Sequence, residues 1–220
     1  MTNVVTPDLN RGDRIGIDEA VLCDSKSVAD LIFILEGAIE RNDSLLLTRL
    51  FETSFGKFPA DIKKNIDYDA ISATGFLGPL KELRESPLVA IVTAGTSDNG
   101  VAREASRTLR HAGEPSASFD DLGVAGLWRI LEKEPDLRTY PVVIVAAGMD
   151  GALFGVVGGL IPGTIIAVPT SAGYGASRNG ETALAVALSN CAPGILTVNI
   201  DSGYGAACAA LRILRQIRKI

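Results

Sequence analysis

From residue 88 to the C-terminus, short apolar runs alternate with stretches of helical periodicity, and this alternation constrains the fold most strongly. Short buried strands that alternate with helices are typical of a parallel sheet covered by helices on both faces. Right-handed crossovers then predict an α/β three-layer sandwich with a doubly wound, flavodoxin-like strand order of 2-1-3-4-5. The predicted strands are residues 88–92, 116–119, 142–146, 164–168 and 195–198, and the predicted helices are residues 99–111, 124–134, 152–160, 181–188 and 205–218.

The chain before this pattern is less regular and predicts a small N-terminal α/β appendage over residues 1–85, with the core over residues 86–220. An apolar stripe at residues 27–41 predicts a helix capped by Ser27. A strand at residues 44–48, a helix near residues 51–65 and a strand around Ile71 follow. Glycine and proline at residues 77–79 and 85–87 mark the boundary.

Charge and hydropathy exclude several classes of protein. A hydrophobic content of 47% excludes a disordered chain. A formal net charge of −5 and 5% aromatic residues argue against a nucleic-acid-binding face. No apolar run reaches the ~18 residues that a membrane span needs, and residues 1–14 are polar without the apolar core of a signal peptide. We therefore expect a cytoplasmic protein with a small-molecule partner.

Cysteine and histidine are too few for several common types of site. The chain has three cysteines without C-x-x-C spacing and a single histidine, His111, so neither a disulfide framework nor a Cys/His zinc site is expected. His111 lies in a charged helical stretch rather than at a strand end. Catalysis by a Ser-His-Asp or Cys-His system is therefore excluded, and other groups must supply the chemistry.

Ligands of doubly wound sheets bind at the carboxyl ends of the strands, so the loops there are the candidate sites. After the first core strand, Thr96, Ser97 and Asp98 precede a helix, where backbone N–H groups suit a phosphate and side-chain oxygens suit ribose or a metal. Helix capping alone is the alternative for this loop. After the third strand, Gly148, Met149, Asp150 and Gly151 place an acid between glycines, and Asp150 is the candidate general acid or base, with capping again the alternative.

Two further segments carry candidate residues. After the fourth strand, Thr170, Ser171, Tyr174 and Gly175 indicate a lip for phosphate or ribose, with Tyr174 stacking on a ring; the alternative is an ordinary flexible turn. Cys191 precedes the last strand. It is either a nucleophile or a small buried hydrophobic residue, and the residue type alone leaves both open.

The loop sequences together resemble the LarB family, the carboxylase/hydrolase of nickel-pincer nucleotide cofactor synthesis, which is related to the aminoimidazole ribonucleotide (AIR) carboxylases of purine synthesis. The likeness extends from residue 88 to the C-terminus and is weaker in the appendage. The matching strings are TAGTSD, DLGVAGLWR, AGMDGALFGVVGGL, IAVPTSAGYGAS, NCAPG and VNIDSGYGA.

The resemblance implies an activity and roles for particular residues. It implies that nicotinic acid adenine dinucleotide is carboxylated at pyridinium C5 with CO2 or bicarbonate as co-substrate and hydrolysed to release AMP, with Mg²⁺ assisting. Cys191 matches the cysteine that adds to pyridinium C4, which turns the ring into an enamine that is nucleophilic at C5. Ser97 and Asp98 match the loop hydroxyl and acid, which makes Asp98 a candidate catalytic residue with Cys191 and Asp150, and Arg129 matches a basic position. Related carboxylases form homo-oligomers, commonly octamers, so a homo-oligomer is expected.

Three departures from the family pattern leave alternatives open. Family members usually carry glutamate at Asp150, histidine at Trp128 and proline at Phe154. A divergent paralogue with a modified substrate is therefore one alternative. An AIR carboxylase is another, although those enzymes carry a histidine in the loop that corresponds to residues 147–155 and none is present here. A non-catalytic nucleotide-binding protein is the third, and a requirement for Cys191 would exclude it.

Overall fold

The computed structural model of the protein describes residues 8 and 10–218, and the chain divides into two compact units. The first unit comprises residues 1–82 and 111–113, and the second comprises residues 83–110 and 114–220. Much of the polar segment on which the signal-peptide prediction depends, residues 1–7 and 9, lies outside the described residues. Among the helices of the described part, none is both long and apolar enough to cross a membrane.

The first unit is a four-stranded sheet with helices. Its strands are ordered β1-β2-β4-β3, with β1 parallel to β2 and the other neighbours antiparallel. The predicted cap is confirmed, because Ser27 Oγ accepts the N–H of Asp30 at 3.1 Å. The elements are α1 (Arg11–Ile15), β1 (Ala20–Leu22), α2 (Val28–Arg41), β2 (Leu45–Thr48), α3 (Glu52–Phe55), α4 (Ala60–Lys63), β3 (Ile66–Asp69) and β4 (Thr74–Leu77).

Two expectations for this unit are wrong. The predicted helix at residues 51–65 is divided into α3 and α4, because Pro59 precedes α4 and lacks the N–H that a continuous helix would need. The predicted strand around Ile71 is a turn between β3 and β4, and Ile71 is 64% exposed there. The apolar residue sits at the tip of a hairpin whose paired residues, such as Ile66 and Leu77, lie on either side of it.

The second unit is built on a five-stranded parallel sheet of order β6-β5-β7-β8-β9. In order of sequence this is 2-1-3-4-5, so the predicted flavodoxin-like α/β class is confirmed. The elements are β5 (Val89–Thr93), α5 (Asn99–His111), β6 (Ser116–Phe119), α6 (Leu127–Leu137), β7 (Val142–Ala147), α7 (Ala152–Leu160), β8 (Thr164–Pro169), α8 (Glu181–Leu188), β9 (Leu196–Thr197) and α9 (Gly203–Ile217).

Burial of the central strands explains why the apolar runs are continuous rather than alternating. Every residue of β5 and β7 is buried, because helices cover both faces of the sheet. Ile130 of α6 and Phe154 of α7 pack into the same core cluster as Val92 and Val145. The edge strand β9 is shorter than predicted, since only Leu196 and Thr197 pair with β8.

Candidate active site

Three of the predicted loops meet at the carboxyl edge of the second sheet. They follow β5, β7 and β8, which are neighbouring parallel strands. The Thr170 hydroxyl donates to Asp98 Oδ1 at 2.6 Å, which joins the loops after β5 and β8. The N–H of Met149 donates to the carbonyl of Ala172 at 2.9 Å, which joins the loops after β7 and β8. The structure thus gathers these sequence-predicted residues into one group.

The loop after β5 forms a short 3-10 turn over Thr96–Asp98 and leads into α5. Thr96 and Ser97 are exposed, whereas Asp98 is only 3% exposed. The carboxylate of Asp98 turns back and accepts the N–H of Gly95 at 2.9 Å. The capping alternative is therefore present for Asp98, while the two hydroxyl residues stay exposed at the start of α5.

The electrostatics of Asp98 follow from its position. Burial raises the pKa of the Asp98 carboxyl above its ordinary value, and the negative charge of Asp201 acts in the same direction. Hydrogen bonds from Thr170 and from the backbone N–H groups of Gly95 and Gly148 oppose this shift, but burial is the larger effect. Asp98 is thus a desolvated carboxyl group surrounded by donors.

The loop after β7 is tight because Gly148 has no side chain. A Cβ there would lie 2.3 Å from the carbonyl oxygen of Ala172 and 2.7 Å from Thr170 Oγ1, so glycine permits the close approach of the two loops. Met149 adopts a left-handed conformation with a φ of 54°. Asp150 is exposed, and its Oδ1 accepts the N–H of Ala152 at 3.2 Å. Asp150 therefore accepts the first N–H of α7 from the position before the Gly151 N-cap, and it presents a carboxylate at the edge of the sheet.

The loop after β8 is held at both ends. Thr170 is buried and its hydroxyl donates to Asp98, and the Ser177 hydroxyl donates to the carbonyl of Tyr174 at 3.0 Å. Between them, Ser171 and Gly175 are exposed, and the Tyr174 side chain is 82% exposed. The ring of Tyr174 is thus presented to solvent by an anchored loop.

Arg129 lies beside the loop after β6. Its guanidinium forms an ion pair with Asp121, the second residue after that strand. A Cβ at Gly123 in the same loop would lie 2.6 Å from the carbonyl oxygen of Ala94, so the loops after β5 and β6 are in contact. The structure therefore places Arg129 next to this edge with its charge engaged by Asp121.

Asp201 belongs to this group but was missed at the level of the sequence. It follows β9, its N–H donates to the carbonyl of Pro169 at 2.9 Å, and its Oδ1 accepts the N–H of Ser171 at 2.8 Å. The signal was available, because Asp201 follows the fifth predicted strand and loops after parallel strands meet at one edge.

Among the described residues, the hydrogen bonds that join the loops do not involve Cys191. It is exposed and lies between the end of α8 and β9, so the chain enters β9 from the amino end of the sheet. Its neighbours pack along α7, because a Cβ at Gly155 would meet Asn190 Oδ1 at 2.9 Å and one at Gly158 would meet Ala192 Cβ at 2.9 Å. The exposed position excludes the buried hydrophobic alternative for Cys191.

Cys23 and the single histidine, His111, are buried in the first unit. His111 is buried, and its Nε2 lies 3.1 Å from Ser44 Oγ. Burial raises the pKa of the Cys23 thiol to about 12, which leaves it protonated and unreactive near neutral pH. These two side chains serve packing and hydrogen bonding there.

The resemblance implies Mg²⁺, an ion that usually binds one or two carboxylates together with substrate phosphates and waters. Among residues 8 and 10–218, no three His, Cys, Asp or Glu side chains lie close enough to share a metal ion. Both oxygens of the buried Asp98 carboxylate already accept hydrogen bonds. The Mg²⁺ that the resemblance implies therefore stays a prediction.

Comparison with known proteins places the chain in a family. Residues 88–219 match the AIR carboxylase family, and residues 1–78 match the LarB/PurE-like N-terminal domain. An uncharacterized protein of Methanocaldococcus jannaschii is 34% identical over 221 residues, which covers 96% of this chain and 84% of that protein. The fold and the loops thus define a protein of the carboxylase class. The chain belongs to the AIR carboxylase family, with a LarB/PurE-like N-terminal domain, which confirms the resemblance carried by the loop motifs.

Two further relatives match a smaller part of the chain or have a lower sequence identity to it. The N5-carboxyaminoimidazole ribonucleotide mutase of Pyrococcus horikoshii is 31% identical over 137 residues, which covers 59% of this chain and 73% of the mutase. A crystal structure of a substituted PurE2 from Treponema denticola is 20% identical, with a TM-score of 0.46 over 61% of this chain and 92% of that one.

Proposed function

We propose that the protein carboxylates nicotinic acid adenine dinucleotide at pyridinium C5 and hydrolyses its phosphoanhydride. The products are AMP and a biscarboxylated pyridinium mononucleotide. The observation that carries this proposal is the combination of LarB-like loops at one edge of the sheet with a LarB/PurE-like N-terminal domain on the same chain. The participation of Mg²⁺ is predicted by the family resemblance alone, so the Mg²⁺ concentration is varied in the assay.

The exposed parts of the loop group suit a dinucleotide. Backbone N–H groups at residues 96–98 open the 13-residue helix α5, where the helix dipole favours phosphate. Tyr174 offers an exposed aromatic face for a nucleotide ring. Thr96, Ser97 and Ser171 supply hydroxyl groups for phosphate or ribose around the same edge.

The chemistry begins at Cys191. Its thiolate adds to pyridinium C4, forming a C–S bond and neutralising the ring, and the resulting enamine attacks CO2 through C5 to form the new C–C bond. Loss of the C5 proton to a base and expulsion of the thiolate then restore the aromatic pyridinium. The balance is one CO2 consumed and one proton released, and a separate addition of water cleaves the phosphoanhydride.

Asp150 is the residue at this edge that fits the base. Its carboxylate is exposed, unlike that of Asp98, and it lies between the loop glycines at the start of α7. A carboxylate in that position accepts the C5 proton when the ring binds over the loop. The carboxylate is one methylene shorter than the usual glutamate, so the ring must bind closer to the backbone here.

The hydrogen bonds that join the loops do not involve Cys191, and in this mechanism a second copy of the chain supplies it. Cys191 is exposed, Leu188 three residues before it is 71% exposed, and Leu196 of the edge strand β9 is 46% exposed. A second copy that covers these apolar side chains would bring Cys191 of one copy to the loops of the other. The expected homo-oligomer is then a catalytic requirement.

The direct test is incubation of the purified protein with nicotinic acid adenine dinucleotide, ¹³C-bicarbonate and Mg²⁺. We expect AMP and a labelled, carboxylated mononucleotide in mass spectra, with carboxylation lost in Cys191→Ala and Cys191→Ser. Asp150→Asn should suppress carboxylation while dinucleotide binding persists, and Asp150→Glu should retain activity. Binding without turnover would favour the non-catalytic alternative, and wild-type carboxylation by Cys191→Ala would overturn the mechanism.

The two-copy site is tested by mixing variants. Inactive Cys191→Ala and Asp150→Asn proteins are unfolded, combined and refolded together. If the two residues come from different copies, some sites in the mixed assembly contain neither substitution, and activity on the order of a quarter of wild type returns. If both residues act within one chain, every site keeps a substitution and the mixture stays inactive.

The similarity to the Pyrococcus horikoshii mutase supports a second candidate, an activity on aminoimidazole ribonucleotides. The lack of histidine in residues 147–155 argues against it. Parallel assays with aminoimidazole ribonucleotide plus bicarbonate and with its N5-carboxy form decide between the two. Turnover of either at a rate above that of the pyridinium dinucleotide would replace the first proposal.

A further inference from the structure

Asp98 is the point at which three loops of the site are joined. Its Oδ2 accepts the N–H of Gly95 at 2.9 Å within the loop after β5, and its Oδ1 accepts the Thr170 hydroxyl at 2.6 Å from the loop after β8. The backbone N–H of Gly148, in the loop after β7, also donates to this carboxylate. One side chain therefore receives a hydrogen bond from each of three neighbouring loops.

We propose that Asp98 is a positioning residue, which sets the nucleotide-binding geometry of these loops through Thr170 and Gly148 without touching the nucleotide. The ligand in this inference rests on the proposed function. The role differs from the catalytic one that the family resemblance implies for Asp98. In this role Asp98 holds the binding loops in place and takes no part in the reaction itself.

Burial is the first argument for this role. Asp98 is 3% exposed and Thr170 is 1% exposed, so the pair has almost no surface to offer a ligand. The acceptor sites of the carboxylate are already used by donors of the protein. A proton-transfer group must reach the reacting atom within hydrogen-bond distance, and the exposed Asp150 meets that condition where Asp98 does not.

The continuity of the network is the second argument. Thr170 is followed by Ser171, whose N–H donates to Asp201 Oδ1 at 2.8 Å, and Asp201 follows β9. Two carboxylates therefore hold the first two residues of the loop after β8, one through a hydroxyl and one through a backbone N–H. The exposed residues of that loop, such as Tyr174, take their position from these anchors.

Loss of the Asp98 carboxylate would also disturb the loops whose donors it accepts. Removing a buried acceptor leaves buried donors unpaired and without water to replace the lost partner, which is unfavourable. The donors in question belong to the backbone and to Thr170, so the loops must shift to find new acceptors. Dinucleotide binding would then weaken because the loops have moved. Removal of the Thr170 hydroxyl alone should weaken binding in the same way.

A double-mutant cycle on dinucleotide binding tests this prediction. The variants are Asp98→Asn, Thr170→Val and the double variant, with Thr170→Ser as the conservative control that restores the hydroxyl. Binding of nicotinic acid adenine dinucleotide is measured by calorimetry without bicarbonate, so turnover is not required. We expect each single variant to weaken binding by roughly tenfold or more, the double variant to be no weaker than the worse single one, and Thr170→Ser to recover most of the loss.

The opposite pattern would overturn the proposal. If Asp98 contacts the nucleotide directly, Thr170→Val binds nearly as wild type, or the two losses multiply in the double variant. Because the readout is binding, a wild-type protein that binds but does not carboxylate refutes the proposed reaction and leaves this test intact.

A second measurement tests the proposal even if one of the variants does not fold or if the wild type does not bind the dinucleotide. Amide hydrogen exchange is followed in the ligand-free protein at residues 148–151 and 170–173. We expect faster exchange in Thr170→Val than in wild type or Thr170→Ser, because the anchor between the loops is gone. Equal exchange rates in Thr170→Val and wild type would refute a positioning role.

Discussion

The buried carboxyl of Asp98 makes stability depend on pH in a direction opposite to that of most acids. Because the folded protein raises its pKa, the folded state binds the proton more tightly than the unfolded chain does, and the ionised form lowers stability at neutral pH. The wild type should therefore gain stability relative to Asp98→Asn as pH falls from 7 through the raised pKa toward about 3.9, the value in the unfolded chain. Urea unfolding of both proteins at several pH values measures this difference, and a difference that shrinks on acidification would contradict the prediction.

A second residue-scale prediction concerns the close approach at Gly148. In Gly148→Ala the new Cβ would overlap the carbonyl oxygen of Ala172 and the Thr170 hydroxyl, so the loops must separate. We expect a loss of about 1–3 kcal/mol in unfolding free energy together with weaker dinucleotide binding. Gly159→Ala is the matched control, because nothing lies within 4 Å of a Cβ there and alanine favours the helix by up to about 1 kcal/mol. Equal stability of the two variants would contradict the packing argument.

At the scale of the element, local sequence rules account for helix ends that need no tertiary contact. The start of α2 is one such case, because Ser27 Oγ satisfies the N–H of Asp30. Ser27→Ala should lower the free energy of unfolding by about 1 kcal/mol in thermal or urea denaturation. Ser86→Ala, at an exposed position before a proline, should change it by less than about 0.5 kcal/mol. Indistinguishable variants would show that the cap contributes nothing.

At the scale of the whole molecule, the proposed assembly depends on the apolar surface beside Cys191. Leu188→Glu places a charge on a side chain that is 71% exposed in one chain, so the fold should tolerate it while an interface there should not. We expect light scattering to show a smaller species and the carboxylation to be lost. Ile71→Glu, at 64% exposure in the first unit, should keep the wild-type mass. A wild type that is monomeric, or an unchanged mass of Leu188→Glu, would contradict a two-copy site.

The sequence by itself determined the sheet of the second unit and the loops at its edge. Strands buried on both faces require continuous apolar runs, and right-handed crossovers then leave few possible orders, so β5 to β8 and the order 2-1-3-4-5 were predictable. The bounds of α5, α7 and α8 agree with the predicted ones because periodicity and the flanking glycines are local signals. Ile71 shows the limit of such signals, since an apolar residue in a turn resembles a strand residue when its neighbours are unknown.

Only the tertiary structure decided which of the candidate residues act together. The bond between Thr170 and Asp98 joins residues 72 positions apart, and the burial that raises the pKa of Asp98 comes from loops that no local pattern connects to it. The same holds for Asp201, which meets Ser171 across the edge of the sheet, and for Cys191, whose exposure the residue type left open. Periodicity reports which face of its own element a residue occupies, whereas hydrogen bonding and desolvation depend on neighbours that the folded chain alone brings close.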